Sequence, residues 1–184
     1  MKRLFDLLVA AAALLSLALP MGLIALLVLV DSGRPVLFAQ TRVGRGGRPF
    51  RLLKFRSMVV DAEARGPQRT ASGDPRITRV GRILRRTSLD ELPQLINILR
   101  GDMSLVGPRP DVPAQQHDYA AADWALRCSV RPGLTGLAQA LYRSRATPAQ
   151  RLQADLDYVR RHGLRRDLTI LWLTVRQVFR ASAN

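Results

Sequence analysis

Residues 7–30 read LLVAAAALLSLALPMGLIALLVLV, and this stretch decides what kind of fold the chain adopts. It runs for 24 residues between Asp6 and Asp31 without one charge. As a single helix it would be about 36 Å long, enough to cross a bilayer. Three features speak against a plain spanning helix. Pro20 lies near the middle, where it lacks the N–H that would bond the Ser16 carbonyl, so a kink or break is expected there. Gly22 and Ser16 flank it and ease such a break. Both flanks are basic, with Lys2 and Arg3 before and Arg34, Arg42, Arg45 and Arg48 after. The positive-inside rule then places both ends on the cytoplasmic side, which a helix that enters, bends at Pro20 and returns satisfies. A spanning helix and a cleaved signal peptide stand as alternatives. Asp6, the length of the apolar run and the lack of a small-x-small cleavage site before Asp31 weigh against the signal peptide.

The rest of the chain has room for one compact domain. With 29 Lys+Arg against 14 Asp+Glu, its net charge of +15 calls for an anionic partner: nucleic acid, an anionic membrane surface or a phosphorylated substrate. Only Lys2 and Lys54 are lysines. Arginine suits bidentate phosphate contacts, although a genome rich in G and C gives the same bias. Cys128 is the single cysteine, which excludes an internal disulfide and a cysteine-clustered zinc site, and His117 and His162 lack ligand spacing. Aromatic residues make up 5% and do not interleave with the basic ones, so the stacking platform of a single-strand nucleic-acid binder is missing.

Two apolar-rich runs around Gly44-Arg45-Gly46-Gly47, from Pro35 to Met58, predict a β-hairpin. Residues 61–75, with Gly66-Pro67, Ser72-Gly73 and Asp74-Pro75, predict a loop. Arg76, Arg79, Arg82 and Arg85-Arg86 alternate with Ile77, Val80 and Ile83-Leu84, giving a helix with one cationic and one apolar stripe. Such a helix suits anionic lipid, and its last arginines suit a phosphate. Helices are also expected over 92–100, ended by Gly101, over 150–160 and over 164–179, the last with Leu168, Leu171, Val175 and Val178 on one face.

Between the arginine-rich helix and the next lies Thr87-Ser88-Leu89-Asp90-Glu91-Leu92-Pro93-Gln94, shortly before Gly107-Pro108-Arg109-Pro110. Adjacent carboxylates in so cationic a chain point to a metal ion and phosphoryl chemistry. A capping box, Ser88-x-x-Glu91, would explain Glu91 without any function, but Pro93 shifts the helix start and spoils it. Either way the pair is expected at a helix N-terminus, where backbone N–H groups also favour phosphate.

These residues carry a resemblance that extends through nearly the whole chain. Lys2-Arg3-x-x-Asp6, Gln40-x-Arg42-x-Gly44, Lys54-Phe55-Arg56-Ser57-Met58, Asp74-Pro75-Arg76-Ile77-Thr78, the acidic-pair run, Gly101–Pro110 and Arg131–Gln139 occur in the order found in the bacterial sugar transferase family. The chain thus resembles the small monotopic phosphoglycosyl transferases. The resemblance implies transfer of a sugar-1-phosphate from a UDP-sugar to polyprenyl phosphate, with Asp90 as nucleophile, Glu91 with Asp90 as the Mg²⁺ ligands, and UMP as leaving group. By place in the pattern it implies Arg143 for a phosphate contact, Arg85 for positioning beside the dyad and Arg109 for the nucleotide. Lys54, Arg56 and Asp157 are weaker candidates for substrate binding, with structural or membrane-facing roles as the alternative.

The chain departs from the family in having Leu19 before Pro20, and Ala140-Leu141-Tyr142-Arg143 where Val-Asn-Gly-Arg is common. The expected fold is mostly α with a small β-hairpin, a monotopic membrane protein with a re-entrant Pro-broken membrane helix over 1–31 and interfacial amphipathic helices. Residues 32–184 are expected to form the catalytic part on the cytoplasmic face of the bacterial inner membrane, one structural unit with the membrane helix. The expected partners are a nucleotide-sugar donor, polyprenyl phosphate and membrane lipid, with no nucleic acid, and exposed helix faces leave room for a homodimer. A reading from another class, a non-catalytic membrane-anchored basic protein that binds anionic lipid or nucleic acid, rests on the charge and the arginine stripe alone.

Overall fold

Lys2–Ser16 (α1) and Ala18–Ser32 (α2) are two halves of one apolar helix that turns through 63° at Leu17. The computed structural model describes residues 1–62, 64–66, 73–142 and 145–182. The break lies three residues before Pro20 because that is where the missing proline N–H is felt. Leu17 closes α1 by donating its N–H to Ala13 O (2.9 Å), and Met21 N–H returns to Leu17 O (2.8 Å). Pro20 itself sits in the first turn of α2, where a proline is tolerated. Among the described residues no single helix is long and apolar enough to cross a membrane, whereas the bent pair passes on length and composition.

Both flanks of the pair are tied to the same body. Asp6, 2% exposed, accepts Ser104 Oγ (2.8 Å) and Leu105 N (3.3 Å), Arg3 donates to Ile98 O (2.7 Å), and Lys2 pairs with Asp167. At the far end Arg56 Nη2 donates to Ser32 O (2.6 Å) and Gly33 O (2.6 Å), a cation on the last carbonyls of α2. Asp31 Oδ2 accepts Val80 N (3.2 Å).

Leu37–Val43 (β1) and Pro49–Phe55 (β2) form the expected antiparallel hairpin, pairing Phe38 with Lys54 and Arg42 with Phe50. Parts of the loop expected over 61–75, residues 63 and 67–72, lie outside the described residues. Arg79–Thr87 (α3) begins later than the arginine spacing suggested. Arg76 is withdrawn into an ion pair with Asp74 (2.7 Å), and Thr78 caps the helix by accepting Gly81 N (2.9 Å). A chain reversal at Ser88 (φ 60°) leads through a 3₁₀ turn, Leu89–Glu91, into Gln94–Arg100 (α4), which ends at Gly101 (φ 96°).

Ser104–Val106 (β3), Ala121–Arg127 (α5), Gly133–Thr135 (β4), Leu137–Tyr142 (α6), Pro148–Arg161 (α7) and Leu164–Ser182 (α8) complete the order. β3 and β4 pair in parallel, a second small sheet beyond the single expected hairpin. Three-residue strands carry no readable periodicity, so only the three-dimensional fold discloses them. The main core gathers Ala10, Ile98, Met103, Val106, Tyr158 and Ile170, and a smaller one of Ile24, Val28, Phe55 and Leu84 joins α2 to the hairpin and α3. The molecule is mostly helical with two small sheets.

Candidate active site

The left-handed Ser88 and the 3₁₀ turn point Asp90 and Glu91 inward, towards β2 and the Pro108–Pro110 segment. Ser88 makes no side-chain cap, so the capping box read from the sequence is not formed, and the pair lies in the 3₁₀ turn ahead of α4. Glu91 is claimed by cations instead: Lys54 Nζ of β2 is 2.7 Å from Glu91 Oε1, and Arg109 Nη2 is 2.6 Å from the same oxygen. Asp90, 7% exposed, stands with Oδ2 4.0 Å from Lys54 Nζ, beyond hydrogen-bond range.

This arrangement separates the two carboxylates electrostatically. Burial raises Asp90, Lys54 opposes it and the Glu91 charge adds to it, so its carboxyl lies above the ordinary range. Burial alone would raise Glu91 too, but Arg109 and Lys54 outweigh it and hold that carboxyl at about 2. Burial and Arg109 lower the Lys54 ammonium, with Glu91 and Asp90 holding it up. Glu91 is therefore a fixed anion, and Asp90 a carboxylate of raised basicity paired only distantly with Lys54. Higher basicity favours nucleophilic attack.

Among the described residues no three His, Cys, Asp or Glu gather as a metal site. The hard carboxylate oxygens of Asp90 and Glu91 still suit Mg²⁺, which commonly takes one or two carboxylates and completes its shell with substrate phosphate oxygens and water.

The other sequence candidates divide. Arg85, half-buried in the last turn of α3, lies within electrostatic reach of Asp90 and lowers its pKa. Arg56 is 6% exposed and spent on the end of α2, a structural place away from the dyad's ion pairs. Asp157 pairs with Arg161 and Arg166. Arg143 lies outside the described residues.

Sequence reasoning gave no site role to Asp111, Arg127 and Asp155, and read Arg42 only as part of the basic flank and of the motif Gln40-x-Arg42-x-Gly44. Arg127 Nε donates to Asp155 Oδ2 (2.9 Å), its Nη1 lies 2.8 Å from Asp111 Oδ2, and Arg151 Nη2 is 2.7 Å from Asp111 Oδ1. A signal for Asp155 was present: it shares a helix face with Tyr158 and Val159, three and four residues on, whereas Asp157 does not.

Fold and site together define a mostly helical protein that sets a carboxylate dyad among cations. The chain belongs to the bacterial sugar transferase family, whose model matches residues 1–181. It is 48% identical to a UDP-glucose:undecaprenyl-phosphate glucose-1-phosphate transferase of Caulobacter vibrioides, over 95% of this chain and 68% of that protein. It is 42% identical to the exopolysaccharide production protein PSS of Rhizobium leguminosarum bv. phaseoli, over 95% of this chain and 93% of that one. A UDP-N-acetylgalactosamine-undecaprenyl-phosphate N-acetylgalactosaminephosphotransferase of Aeromonas hydrophila is 40% identical over 96% of this chain, which spans only 43% of that protein.

Proposed function

We propose that this protein transfers a sugar-1-phosphate from a UDP-sugar to undecaprenyl phosphate, giving undecaprenyl-diphosphate-sugar and UMP, the first membrane step of exopolysaccharide synthesis. The observation that carries the reading is the unequal dyad: a buried Asp90 with its nearest cation 4.0 Å away, beside a Glu91 fixed by Lys54 and Arg109. Relatives that cover nearly all of this chain are named for that transfer or for exopolysaccharide production.

In the first half-reaction an Asp90 oxygen attacks the sugar-bearing phosphorus. The bond from that phosphorus to the bridging oxygen breaks, and UMP leaves with the electron pair. In the second, a phosphate oxygen of undecaprenyl phosphate attacks the same phosphorus and the Asp90 carboxylate is restored. A carboxylate suits both halves, since its mixed anhydride with phosphate is reactive enough to pass the group on. Lys54 and Arg109 offset the charge that collects when a diphosphate meets two carboxylates, and Arg85 adds to that field. Asp90 and Glu91 would hold Mg²⁺, which would supply charge neutralisation of the phosphate oxygens.

The membrane part of the reading, residues 1–31 as a re-entrant element with 32–184 on the cytoplasmic face, is supported by the attachment of both helix flanks to one body. Exposed Leu168, Trp172 and Val175 on α8 and Ile83 on α3, with arginines beside them, suit an interfacial setting. The test is UMP release by purified protein in nanodiscs, given undecaprenyl phosphate, Mg²⁺ and a panel of UDP-sugars, beside Asp90→Asn and EDTA controls. Release with one sugar that both controls abolish is expected; release undiminished in Asp90→Asn would sink the covalent mechanism.

A further inference from the structure

The segment that presents Arg109 is held in an unusual way. Pro108 and Pro110 have no N–H, so the polar backbone handle each offers is its carbonyl. Four consecutive carbonyls are each taken by a donor. Gly133 N bonds Pro108 O (2.9 Å), Arg127 Nη2 bonds Arg109 O, Arg42 Nη1 bonds Pro110 O (3.0 Å), and Val43 N bonds Asp111 O (2.9 Å). The donors come from β1 and, far from it in sequence, from α5 and β4.

Two of the four donors are arginine side chains, and neither is placed there cheaply. Arg127 is 4% exposed and is held in turn by Asp155 and by Asp111, whose carboxylate also takes Tyr119 OH (2.7 Å). Arg42 donates its other terminal nitrogen to Gln40 Oε1 (2.6 Å), while its buried Nε has no hydrogen-bond partner among the described residues. Burial first and the Arg109 charge second depress the Arg42 guanidinium to about 10. Arg42 is half-buried, and a partly desolvated cation beside another cation adds little to fold stability. What Arg42 does achieve is to pin Pro110 O, one peptide from the residue that grips Glu91.

We propose that Arg42 and Arg127 are positioning residues that act through Arg109: by holding the Pro110 and Arg109 carbonyls they fix the Arg109 guanidinium against Glu91 before the donor arrives. The inference rests on the dyad being the reacting centre. Rigid presentation spares the donor the cost of ordering that arginine and keeps the charge aimed where phosphate negative charge collects. The prolines limit the backbone and the two arginines choose its orientation.

A double-mutant cycle in kcat/KM for UMP release, built on Arg42→Gln and Arg109→Ala, reads the coupling. Arg42→Gln is expected to lower kcat/KM about tenfold when Arg109 is present and less than about twofold when it is absent, with Arg42→Lys recovering most of the loss. Arg42 leads because Arg127→Gln strands the buried Asp155 carboxylate, takes one partner from Asp111 and risks unfolding. A measurement free of turnover runs beside it: the ¹⁵N heteronuclear NOE of the Arg109 Nε–Hε group, assigned with Arg109→Lys, should fall in Arg42→Gln. Equal losses in both backgrounds, or an Arg109 signal as ordered as in the wild type, would overturn the proposal and leave Arg42 as a donor contact or a fold element. If Asp90→Asn still releases UMP, the reading of the dyad fails, and the Arg109 signal alone still decides the positioning.

Discussion

Asp90 and Glu91 are neighbours with opposite relations to the fold. The Asp90 pKa is raised in the folded state, so its contribution to stability is fully present below the unfolded value and is lost as pH rises through the folded one. At neutral pH the ionised Asp90 therefore costs stability, and Asp90→Asn should raise the melting temperature at pH 7 while lowering transfer by roughly a thousandfold or more. Glu91 has the reverse sign. Its folded pKa of about 2 lies below its ordinary 4.5, so its contribution is present above 4.5 and is lost as pH falls towards 2. Glu91→Gln should lower stability at pH 7 by about 2 kcal/mol, because Lys54 and Arg109 lose their counter-charge, and this difference should vanish in acid melts. Lys54 is the largest influence opposing the rise of Asp90. Lys54→Met should move the acid limb of the kcat/KM profile to higher pH, since removing a cation makes a carboxylate harder to ionise; an unmoved limb would assign that limb to another group.

The elements were legible in proportion to the length of their pattern. The apolar run, the hairpin around its glycines and the helices of α4, α7 and α8 follow from periodicity, and their observed bounds differ from expectation by a few residues. Two features did not follow. The pairing of β3 with β4 depends on two three-residue segments 27 residues apart meeting at glycines: a Cβ on Gly107 would lie 2.4 Å from Arg131 O. The start of α3 depends on where Arg76 is drawn by Asp74, which spacing alone does not disclose. Of the site, the dyad and Arg109 were readable as motifs, whereas the Arg127–Asp155–Asp111 support was not, because it joins α5, α7 and a loop that only folding brings together. α3 itself docks through Gly81, where a Cβ would lie 2.1 Å from the backbone oxygen of Ser57. Gly81→Ala must push α3 off the Ser57 backbone, two residues beyond β2, and should cost about 3 kcal/mol, measured by chemical denaturation, despite alanine's better helix propensity.

At the scale of the whole molecule the question is how a chain with 24 uncharged residues keeps both flanks on one body. Each half of the bent pair has 15 residues and is about 22 Å long, and with a 63° turn the apex lies about 12 Å from the line joining the two ends. Set in a bilayer as proposed, that depth would reach into one leaflet of a hydrocarbon core about 30 Å thick without crossing it. A straight helix would instead carry Asp31 to the opposite face, breaking the bonds of Arg56 to Ser32 O and of Val80 to Asp31, and separating the smaller core of Ile24, Val28, Phe55 and Leu84. Single cysteines in a Cys128→Ala background separate the two topologies. Leu4→Cys and Arg34→Cys, at exposed positions on opposite flanks, should both react with a membrane-impermeant maleimide in inside-out vesicles and neither in intact spheroplasts. Leu19→Cys, 85% exposed in the protein and next to the bend, should be protected in both preparations because lipid covers it. Labelling of either flank from the outer face of spheroplasts would mean a spanning helix, and would require the body to release one end of the pair.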